Sequence, residues 1–270
     1  MASQRATAER LTTLLDASVD AARVAADYIR SRAADRARLE IREKQAADFV
    51  SEVDTGAESR IREVLDAKVP GAQVVGEEMS PTASTAGETV FVVDPLDGTT
   101  NFLHGFPAYS VSIGAMMDGD VVAAVVLDVP HGELFTATSK GGAFIDGRPM
   151  RVSSVQKPNR ALIGTGFPFK NLEFIDAYVR QFERITRAQS GIRRAGSAAL
   201  DLASVASGRF DGFWELRLAP WDIAAGLLLV REAGGRVTDL EGRDISVASG
   251  PVVASNSLLH EWLLESLGVS

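Results

Sequence analysis

The sequence predicts an α+β fold in which layers of helix and sheet pack on one another. Three observations support this prediction. Apolar residues recur with helical spacing over residues 1–70, short β-branched runs separated by turns fill residues 71–150, and strands alternate with helices over residues 151–270. With 46% hydrophobic residues, the chain has enough apolar side chains for a large core. We therefore expect an N-terminal half, 1–150, and a C-terminal half, 151–270, tightly coupled as one functional unit.

The N-terminal region is predicted to contain two helices. The first carries one apolar stripe, made of Leu11, Leu14, Leu15, Ala22, Ala26 and Ile29. A loop with Lys44 and Asp48 is expected to follow. The second helix is expected to start at Asp54, which is a good N-cap residue, and to stop at Pro70-Gly71.

The rest of the chain gives shorter predicted elements. β-branched runs predict strands at 73–76, 89–93, 109–117, 120–129 and 133–138, with Asp118-Gly119 as a hairpin turn. Farther along, strands are predicted at 161–165, 210–215 and 252–254. Helices are predicted at 173–188, 197–206, 222–233 and 258–267.

Composition excludes several classes of protein. The chain has no cysteine, so disulfides, Cys-ligated metals and thiol nucleophiles are impossible. Its net charge of −8 argues against broad binding to nucleic acid or to an anionic membrane, and it suits a protein that binds cations. The longest apolar stretch, 121–127, is far shorter than a membrane span, and no secretory signal is evident. We expect a cytoplasmic protein.

One acidic segment, residues 94–102 with the sequence DPLDGTTNF, is the most informative in the chain. It follows an apolar strand, and Pro95 forces a turn that can point the Asp94 and Asp97 carboxylates to one side, where the Leu96 carbonyl can join them. Converging oxygens of this kind favour Mg²⁺. The backbone N–H groups that follow, from Gly98 onward, would suit a phosphate. The ordinary alternative is a solvated turn.

Four other acidic residues are less specific. Glu77 and Glu78 follow a short predicted strand, although paired glutamates usually lie on a wet surface. Asp54 and Asp222 each precede an apolar helix, where an aspartate is most often an N-cap. The sequence lacks a Walker A motif, a Gly-x-Ser-x-Gly elbow and any zinc-like histidine spacing.

Together these segments resemble the signatures of the inositol monophosphatase family. The resemblance is carried by residues 76–78 (GEE), 94–102 (DPLDGTTNF), 221–226 (WDIAAG) and 232–235 (EAGG), in this order and spacing. Residues 164–170 (GTGFPFK) and 193–201 (RRAGSAALD) resemble the bacterial members in particular. The match runs over nearly the whole chain.

The resemblance implies a layered α-β-α-β-α sandwich, a phosphomonoesterase that uses two or three Mg²⁺ ions, Li⁺ inhibition and a homodimer. It implies direct attack by water on a phosphate monoester, oriented by Thr99 and its partner Asp54, with Glu77 also in a catalytic role. The implied metal ligands are Glu77, Asp94, the Leu96 carbonyl, Asp97 and Asp222. The implied substrate contacts are Leu96, Asp97, Gly98, Thr99, Arg193, Gly196, Ser197, Ala198, Glu215 and Asp222. Lys44 matches a loop lysine near the metals.

Three functions remain open at this point. The first is hydrolysis of inositol 1-phosphate or a similar polyol phosphate. The second is phosphatase activity on fructose 1,6-bisphosphate, histidinol phosphate, a 3′-phosphoadenosine nucleotide or NADP. The third is a regulatory role, in which the protein binds a macromolecular partner and catalysis is secondary.

Overall fold

The computed structural model describes residues 2–45, 48–169 and 172–268. Its longer helices agree with the apolar spacing of the sequence, and each predicted helix is present within a few residues of its expected bounds. The α-helices are α1 (Ala2–Arg32), α2 (Glu52–Lys68), α3 (Thr99–His104), α4 (Ile175–Ala188), α5 (Ala198–Ala206), α6 (Pro220–Glu232) and α7 (His260–Leu267).

The start of α2 differs from the prediction. Ser51, not Asp54, is the N-cap: its hydroxyl accepts a hydrogen bond from the Val53 N–H at 3.1 Å. Asp54 lies in the first turn and its carboxylate accepts from the Ser51 N–H at 2.8 Å, which completes a capping box. Serine and aspartate both satisfy the free amides at a helix start, so residue type alone did not show that the helix begins before Asp54.

The expected loop before α2 is also different. Residues Ile41–Gln45 (β1) and Asp48–Ser51 (β2) pair as an antiparallel two-stranded ribbon. The side chains of Lys44 and Asp48 lie outside the described part of the structure, so the expectation for Lys44 stays a prediction.

The larger sheet contains seven strands in sequence order, from β3 to β9. β3 and β4 are parallel, and every later pair is antiparallel. The strands are β3 (Gln73–Gly76), β4 (Thr89–Asp97), β5 (Ser110–Met117), β6 (Asp120–Asp128), β7 (Leu134–Thr138), β8 (Gly142–Ile145) and β9 (Arg148–Pro149).

The second sheet contains five strands and mixes directions. Its strands are β10 (Leu162–Thr165), β11 (Gly191–Arg193), β12 (Gly212–Leu218), β13 (Arg236–Thr238) and β14 (Gly250–Ser255). Their spatial order is β11-β10-β12-β14-β13. β10 is parallel to both of its neighbours, whereas β14 is antiparallel to both β12 and β13.

Three apolar cores define the stacking of these elements. The first joins α1 and α2 to one face of the seven-stranded sheet. The second places α5 and α6 between the two sheets. The third packs α4 and α7 on the outer face of the five-stranded sheet. The order of layers is therefore α-β-α-β-α, and the α+β sandwich predicted from the sequence is confirmed.

Strand β4 divides two of these cores. Phe91 and Val93 face α1 and α2, whereas Val90 and Val92 face α5 and α6. All nine residues of β4 are buried. A strand that is covered on both faces typically has a continuous run of apolar residues, and β4 has such a run up to Asp94. Within the described residues, none of the helices combines the length and the apolar composition needed to span a membrane.

Candidate active site

Two aspartates lie at the C-terminal end of β4, which runs between β3 and β5. The pairing of β4 with β5 is interrupted between Asp94 and Asp97, at Pro95, which has no N–H to donate. Asp94 Oδ1 accepts a hydrogen bond from the Leu96 N–H at 3.0 Å and stabilises the bend. The predicted turn is thus an irregularity within a longer strand, with both carboxylates beyond the apolar run.

A third aspartate comes from the first turn of α6. Asp222 accepts a hydrogen bond from the Ala219 N–H at 2.6 Å through Oδ2. Because α6 begins at Pro220, before the predicted start, Ala219 and not Asp222 is the N-cap residue, and Asp222 bonds back to it from the first turn. Asp94, Asp97 and Asp222 each offer a carboxylate oxygen, and these three oxygens lie within 4.8 Å of one another. Folding therefore brings Asp222 to a pair of aspartates that lie more than a hundred residues before it in the sequence.

Burial and mutual repulsion change the acidity of this cluster. Burial raises the pKa of Asp94 well above its usual range, and the charges of Glu77, Asp97 and Asp222 raise it further. Burial also raises the pKa of Asp97 to about 6, although hydrogen bonds from Ser197 and Ala199 oppose that rise. The cluster is therefore electrostatically costly in the absence of positive charge.

Glu77 approaches the cluster from the end of β3. Its N–H donates to the Val93 carbonyl at 3.2 Å, so its backbone is tied to β4 one residue before Asp94. Its carboxylate is outside the 4.8 Å group, yet its charge is the largest electrostatic contribution to the raised pKa of Asp94. Glu77 and the aspartates line the same cavity.

A chain of hydrogen bonds leads from Thr99 back to α2. The Thr99 hydroxyl lies 2.8 Å from Asp54 Oδ1 and 3.1 Å from the Leu96 carbonyl, either of which can accept its proton. Asp54 Oδ2 accepts from the Ser51 N–H and from the Ser51 hydroxyl, at 2.8 and 2.6 Å. Burial raises the pKa of Asp54, while these hydrogen bonds oppose the rise. The carboxylate that orients Thr99 is therefore fixed on both oxygens.

The one residue between Asp97 and Thr99 has a left-handed backbone conformation. Gly98 has φ of 95°, in the left-handed region, and a Cβ there would lie 2.8 Å from the Ala108 carbonyl oxygen. Next to Gly98, Asp97 Oδ2 accepts hydrogen bonds from the Ser197 hydroxyl and from the Ala199 N–H, at 2.5 and 2.8 Å. The start of α5 is thereby attached to the acidic cluster.

These groups line a cavity of about 930 Å³, within the size range of small-molecule sites. Most of the predicted site residues lie on its wall. Those that line it are Glu77, Asp94, Leu96, Asp97, Gly98, Thr99, Gly196, Ser197, Ala198, Glu215 and Asp222. Asp54 lies behind Thr99.

Arg193 and its neighbour point in different directions. Arg193 is exposed at the end of β11 and donates to the Ile192 carbonyl, whereas Arg194 lines the cavity. The Arg194 guanidinium lies over the rings of Phe167 and Phe169, at 5.3 and 5.1 Å from their centroids. The motif at 193–201 contains both arginines, and the motif at 164–170 contains both rings. Only the direction of the folded backbone decides which arginine faces the cavity.

Asp201 is a further acid of the cavity wall that the sequence analysis did not assign. It is 2% exposed, and burial and the nearby charges of Glu215 and Asp97 raise its pKa well above the usual range. Asp201 occurs in the same motif as Ser197. Asp201 follows Ser197 by one helical turn, so the two residues lie on the same face of α5, and this spacing could have identified Asp201 as a cavity residue.

Comparisons with known proteins define the class of this chain. The sequence profile of the inositol monophosphatase family matches residues 10–269. The chain is 45% identical to an inositol-1-monophosphatase of Rhizobium meliloti, covering 84% of this chain and 85% of that protein. It is 43% identical to the Nus factor SuhB of Pseudomonas aeruginosa, covering 85% and 86%.

A solved structure is similar over nearly the same length. The extragenic suppressor protein SuhB of Bartonella henselae superposes with a TM-score of 0.89 at 39% identity, covering 95% of this chain and 99% of that one. The chain belongs to the inositol monophosphatase family.

Proposed function

We propose that the protein is a Mg²⁺-dependent phosphomonoesterase that hydrolyses inositol 1-phosphate and similar polyol phosphates to the free polyol and phosphate. The observation that carries the proposal is the convergence of Asp94, Asp97 and Asp222 within 4.8 Å on the wall of a large cavity. Membership of the family, which is metal-dependent, supports it.

The donor set fits a hard divalent cation. All the candidate ligands are oxygens. Burial, together with neighbouring negative charge, raises the pKa values of Asp94 and Asp97, and a bound cation would offset both effects. We assign Glu77, Asp94 and the Leu96 carbonyl to one ion, and Asp94, Asp97 and Asp222 to a second, with a third near Glu77. When bound, such ions lower the pKa of water and neutralise developing charge on phosphate oxygens.

The protein's own residues position the reacting groups. Because the Thr99 hydroxyl donates to Asp54 or to the Leu96 carbonyl, its lone pairs are directed to accept a hydrogen bond from a water molecule in the cavity. That water would attack phosphorus directly, without a covalent enzyme intermediate. Asp54, held by Ser51, fixes the direction of the Thr99 hydroxyl.

Other wall residues are assigned to the substrate. We assign the Gly98 and Thr99 amides to the phosphate. The polyol hydroxyls are assigned to Glu215 and the start of α5, where the contacts are Gly196, Ser197 and Ala198. Arg193 would need to turn toward the cavity mouth to contact a substrate, whereas Arg194 already faces the cavity.

A phosphate-release screen tests this function. The purified protein is assayed with inositol 1-phosphate, fructose 1,6-bisphosphate, histidinol phosphate, a 3′-phosphoadenosine nucleotide and NADP, with Mg²⁺ and with EDTA. We expect EDTA-sensitive release, fastest with inositol 1-phosphate. A faster rate with another substrate would move the assignment to that phosphatase, and no release from any of them would refute the proposal.

A second candidate function is binding of a macromolecular partner, with catalysis secondary. The specific observation in its favour is the 43% identity to a protein named Nus factor SuhB. The net charge of −8 favours a protein partner over direct contact with nucleic acid. Replacing the chromosomal gene with an Asp97→Asn version tests this role. Wild-type growth with an inactive enzyme would favour binding, and loss of function would favour catalysis.

We extend the proposal to a homodimer, Li⁺ inhibition and a cytoplasmic location, on the strength of family membership. Light scattering of the purified protein should give twice the mass of one chain, 28.7 kDa. Phosphate release should fall as LiCl is added, with NaCl at the same ionic strength as the control.

A further inference from the structure

The end of β3, which carries Glu77, is held by a network of polar side chains that the proposed reaction does not use. At its centre is Glu58 on α2, whose side chain is fully buried. Arg62, one turn farther along the helix, donates to Glu58 Oε1 from Nε at 3.0 Å and from Nη2 at 2.7 Å. A buried carboxylate is retained only where such partners satisfy it.

The remaining acceptor capacity of Glu58 is directed at the backbone next to Glu77. Glu58 Oε2 accepts from the Glu78 N–H at 2.8 Å, and both carboxylate oxygens lie 3.2 Å from the Met79 N. Glu77 itself is tied to β4 through the Val93 carbonyl. The backbone of Glu77 is therefore fixed on one side by β4 and on the other by Glu58.

Ser80 and Gly76 complete this network. The Ser80 hydroxyl accepts from Arg62 Nη2 and from the Gly76 N–H, the latter at 3.0 Å, and donates to the Val74 carbonyl at 2.8 Å. A Cβ on Gly76 would lie 2.1 Å from Glu58 Oε1, so the glutamate occupies the space that this glycine leaves. The carboxylate and the turn after β3 fit each other closely.

We propose that Glu58 is a positioning residue for the metal site: its carboxylate, held by Arg62, sets the backbone from which Glu77 enters the cavity. This inference rests on the proposed function, because it takes Glu77 to be a metal ligand. Groups that orient ligands from behind commonly affect metal affinity by about 10- to 100-fold when they are replaced. Glu58 does not line the cavity, so substrate contact does not explain its burial.

The test compares Mn²⁺ binding, measured from the EPR signal of free Mn²⁺, in the wild-type protein and in Glu58→Gln. The amide keeps the volume of the side chain but removes its charge and turns an NH₂ group toward donors. We expect Mn²⁺ affinity to fall about 10- to 100-fold and the amides of Glu78 and Met79 to exchange hydrogen faster. The KM for Mg²⁺ in phosphate release should rise more than kcat falls.

The matched control is Glu63→Gln, an exposed glutamate on the same helix, which should bind Mn²⁺ like the wild type. Glu58→Gln leaves the Arg62 charge without its partner, so Mn²⁺ binding is also measured for the double variant Glu58→Gln/Arg62→Gln. The same measurement is made for Ser80→Ala, and the thermal melting of every variant is recorded. Ser80→Ala should weaken Mn²⁺ binding in the same direction.

Two different results would contradict the positioning role of Glu58 and the proposed function, respectively. A folded Glu58→Gln or double variant whose Mn²⁺ affinity stays within twofold of the wild type would overturn the positioning role alone. A wild-type protein that neither binds Mn²⁺ nor releases phosphate would overturn the proposed function and this inference with it.

Discussion

At the scale of single residues, Asp97 connects two parts of the site. One of its oxygens accepts hydrogen bonds from the start of α5, and the residue also belongs to the acidic cluster. An asparagine at this position could still accept both hydrogen bonds through its carbonyl oxygen. Its charge can therefore be removed without removing its structural contacts.

We expect Asp97→Asn to remove Mg²⁺-dependent phosphate release while leaving the protein folded. Loss of a group that stabilises developing charge typically lowers kcat by about 10²- to 10³-fold, and Asp222→Asn should behave in the same way. Rates at saturating Mg²⁺ and melting curves check this. Asp118→Asn, an exposed hairpin residue, is the control. Near-normal turnover by Asp97→Asn would rule out its assignment as a ligand.

His260 gives a prediction for stability rather than catalysis. It is fully buried between the Ser255 and Thr238 hydroxyls, 2.8 and 2.9 Å away, and burial lowers its pKa to about 4. The unfolded chain, with a histidine pKa near 6.5, then binds the proton more readily. His260 thus contributes stability that is complete above about pH 6.5 and is lost as pH falls toward 4.

The expected slope from this single group is at most about 1.4 kcal/mol per pH unit. Urea unfolding of the wild type and of His260→Gln, measured from pH 7 to pH 4, should show a flatter dependence in the variant. His104→Gln, at an exposed position, should keep the wild-type slope. An unchanged slope in His260→Gln would contradict the prediction.

Site residues differ in how far the sequence could predict them. Asp94 and Asp97 lie on either side of Pro95 after an apolar run, and that local pattern is enough to suggest ligands. The inward direction of Arg194 depends on how β11 ends, and Glu58 resembles any helical glutamate until the turn after β3 packs on it. Local spacing cannot show which distant backbone a side chain will meet.

At the scale of elements, the start of α2 serves both the helix and the site. The Ser51 hydroxyl accepts from the Val53 N–H, and its proton and its N–H are both directed at Asp54. Asp54 in turn orients Thr99. A substitution at the helix cap should therefore also alter the orientation of the Thr99 hydroxyl.

We expect Ser51→Ala to lower the free energy of unfolding by about 1 kcal/mol, the usual effect of losing an N-cap side chain, and also to lower kcat. Urea denaturation and phosphate release measure the two effects. Thr12→Ala, which removes an exposed hydroxyl that bonds within α1, is the control and should leave kcat unchanged. If Ser51→Ala were destabilised but kept a normal kcat, Ser51 would stabilise the helix without affecting catalysis.

Elements with a distinct local signal, either an apolar period or a β-branched run, could be predicted from the sequence, and elements without one could not. β3 was predicted with its observed bounds, because a short β-branched run ends at a glycine. The β1–β2 ribbon was missed because its strands, IREKQ and DFVS, show little alternation of apolar and polar residues. Its pairing depends on the fold around it.

At the scale of the molecule, the order of helices and strands was enough to predict layers, but not the order of strands in the second sheet. β10 lies between β11 and β12, so its neighbours along the sheet are separated from it by α4 or α5 in the sequence. Such crossovers depend on long-range packing. The family resemblance supplied the number of layers.

We propose that residues 1–150 and 151–270 are two halves of one unit. The support is the middle layer: α5 and α6 belong to the second half, yet they pack against the sheet of the first as well as their own. Leu202 on α5 is fully buried in that shared core. A loss of packing there should affect both halves together.

Calorimetry tests the coupling. The wild type should unfold in one transition with equal calorimetric and van't Hoff enthalpies. Leu202→Ala should lower stability by about 2–5 kcal/mol and shift that single transition to lower temperature. Val179→Ala, at an exposed position on α4, is the control and should shift it little. Two separate transitions would show that the halves unfold independently.

The position of β4 between two apolar cores has a genetic consequence. Its backbone carries Asp94 and Asp97, while its side chains pack against α1 and α2 on one face and against α5 and α6 on the other. A substitution that alters packing volume in either compartment would shift the same short segment. Second-site mutations that restore activity to a variant with a weakened acidic cluster should therefore occur in α1 or α2 as often as in α5 or α6. Such mutations would lie away from the aspartates whose position they correct.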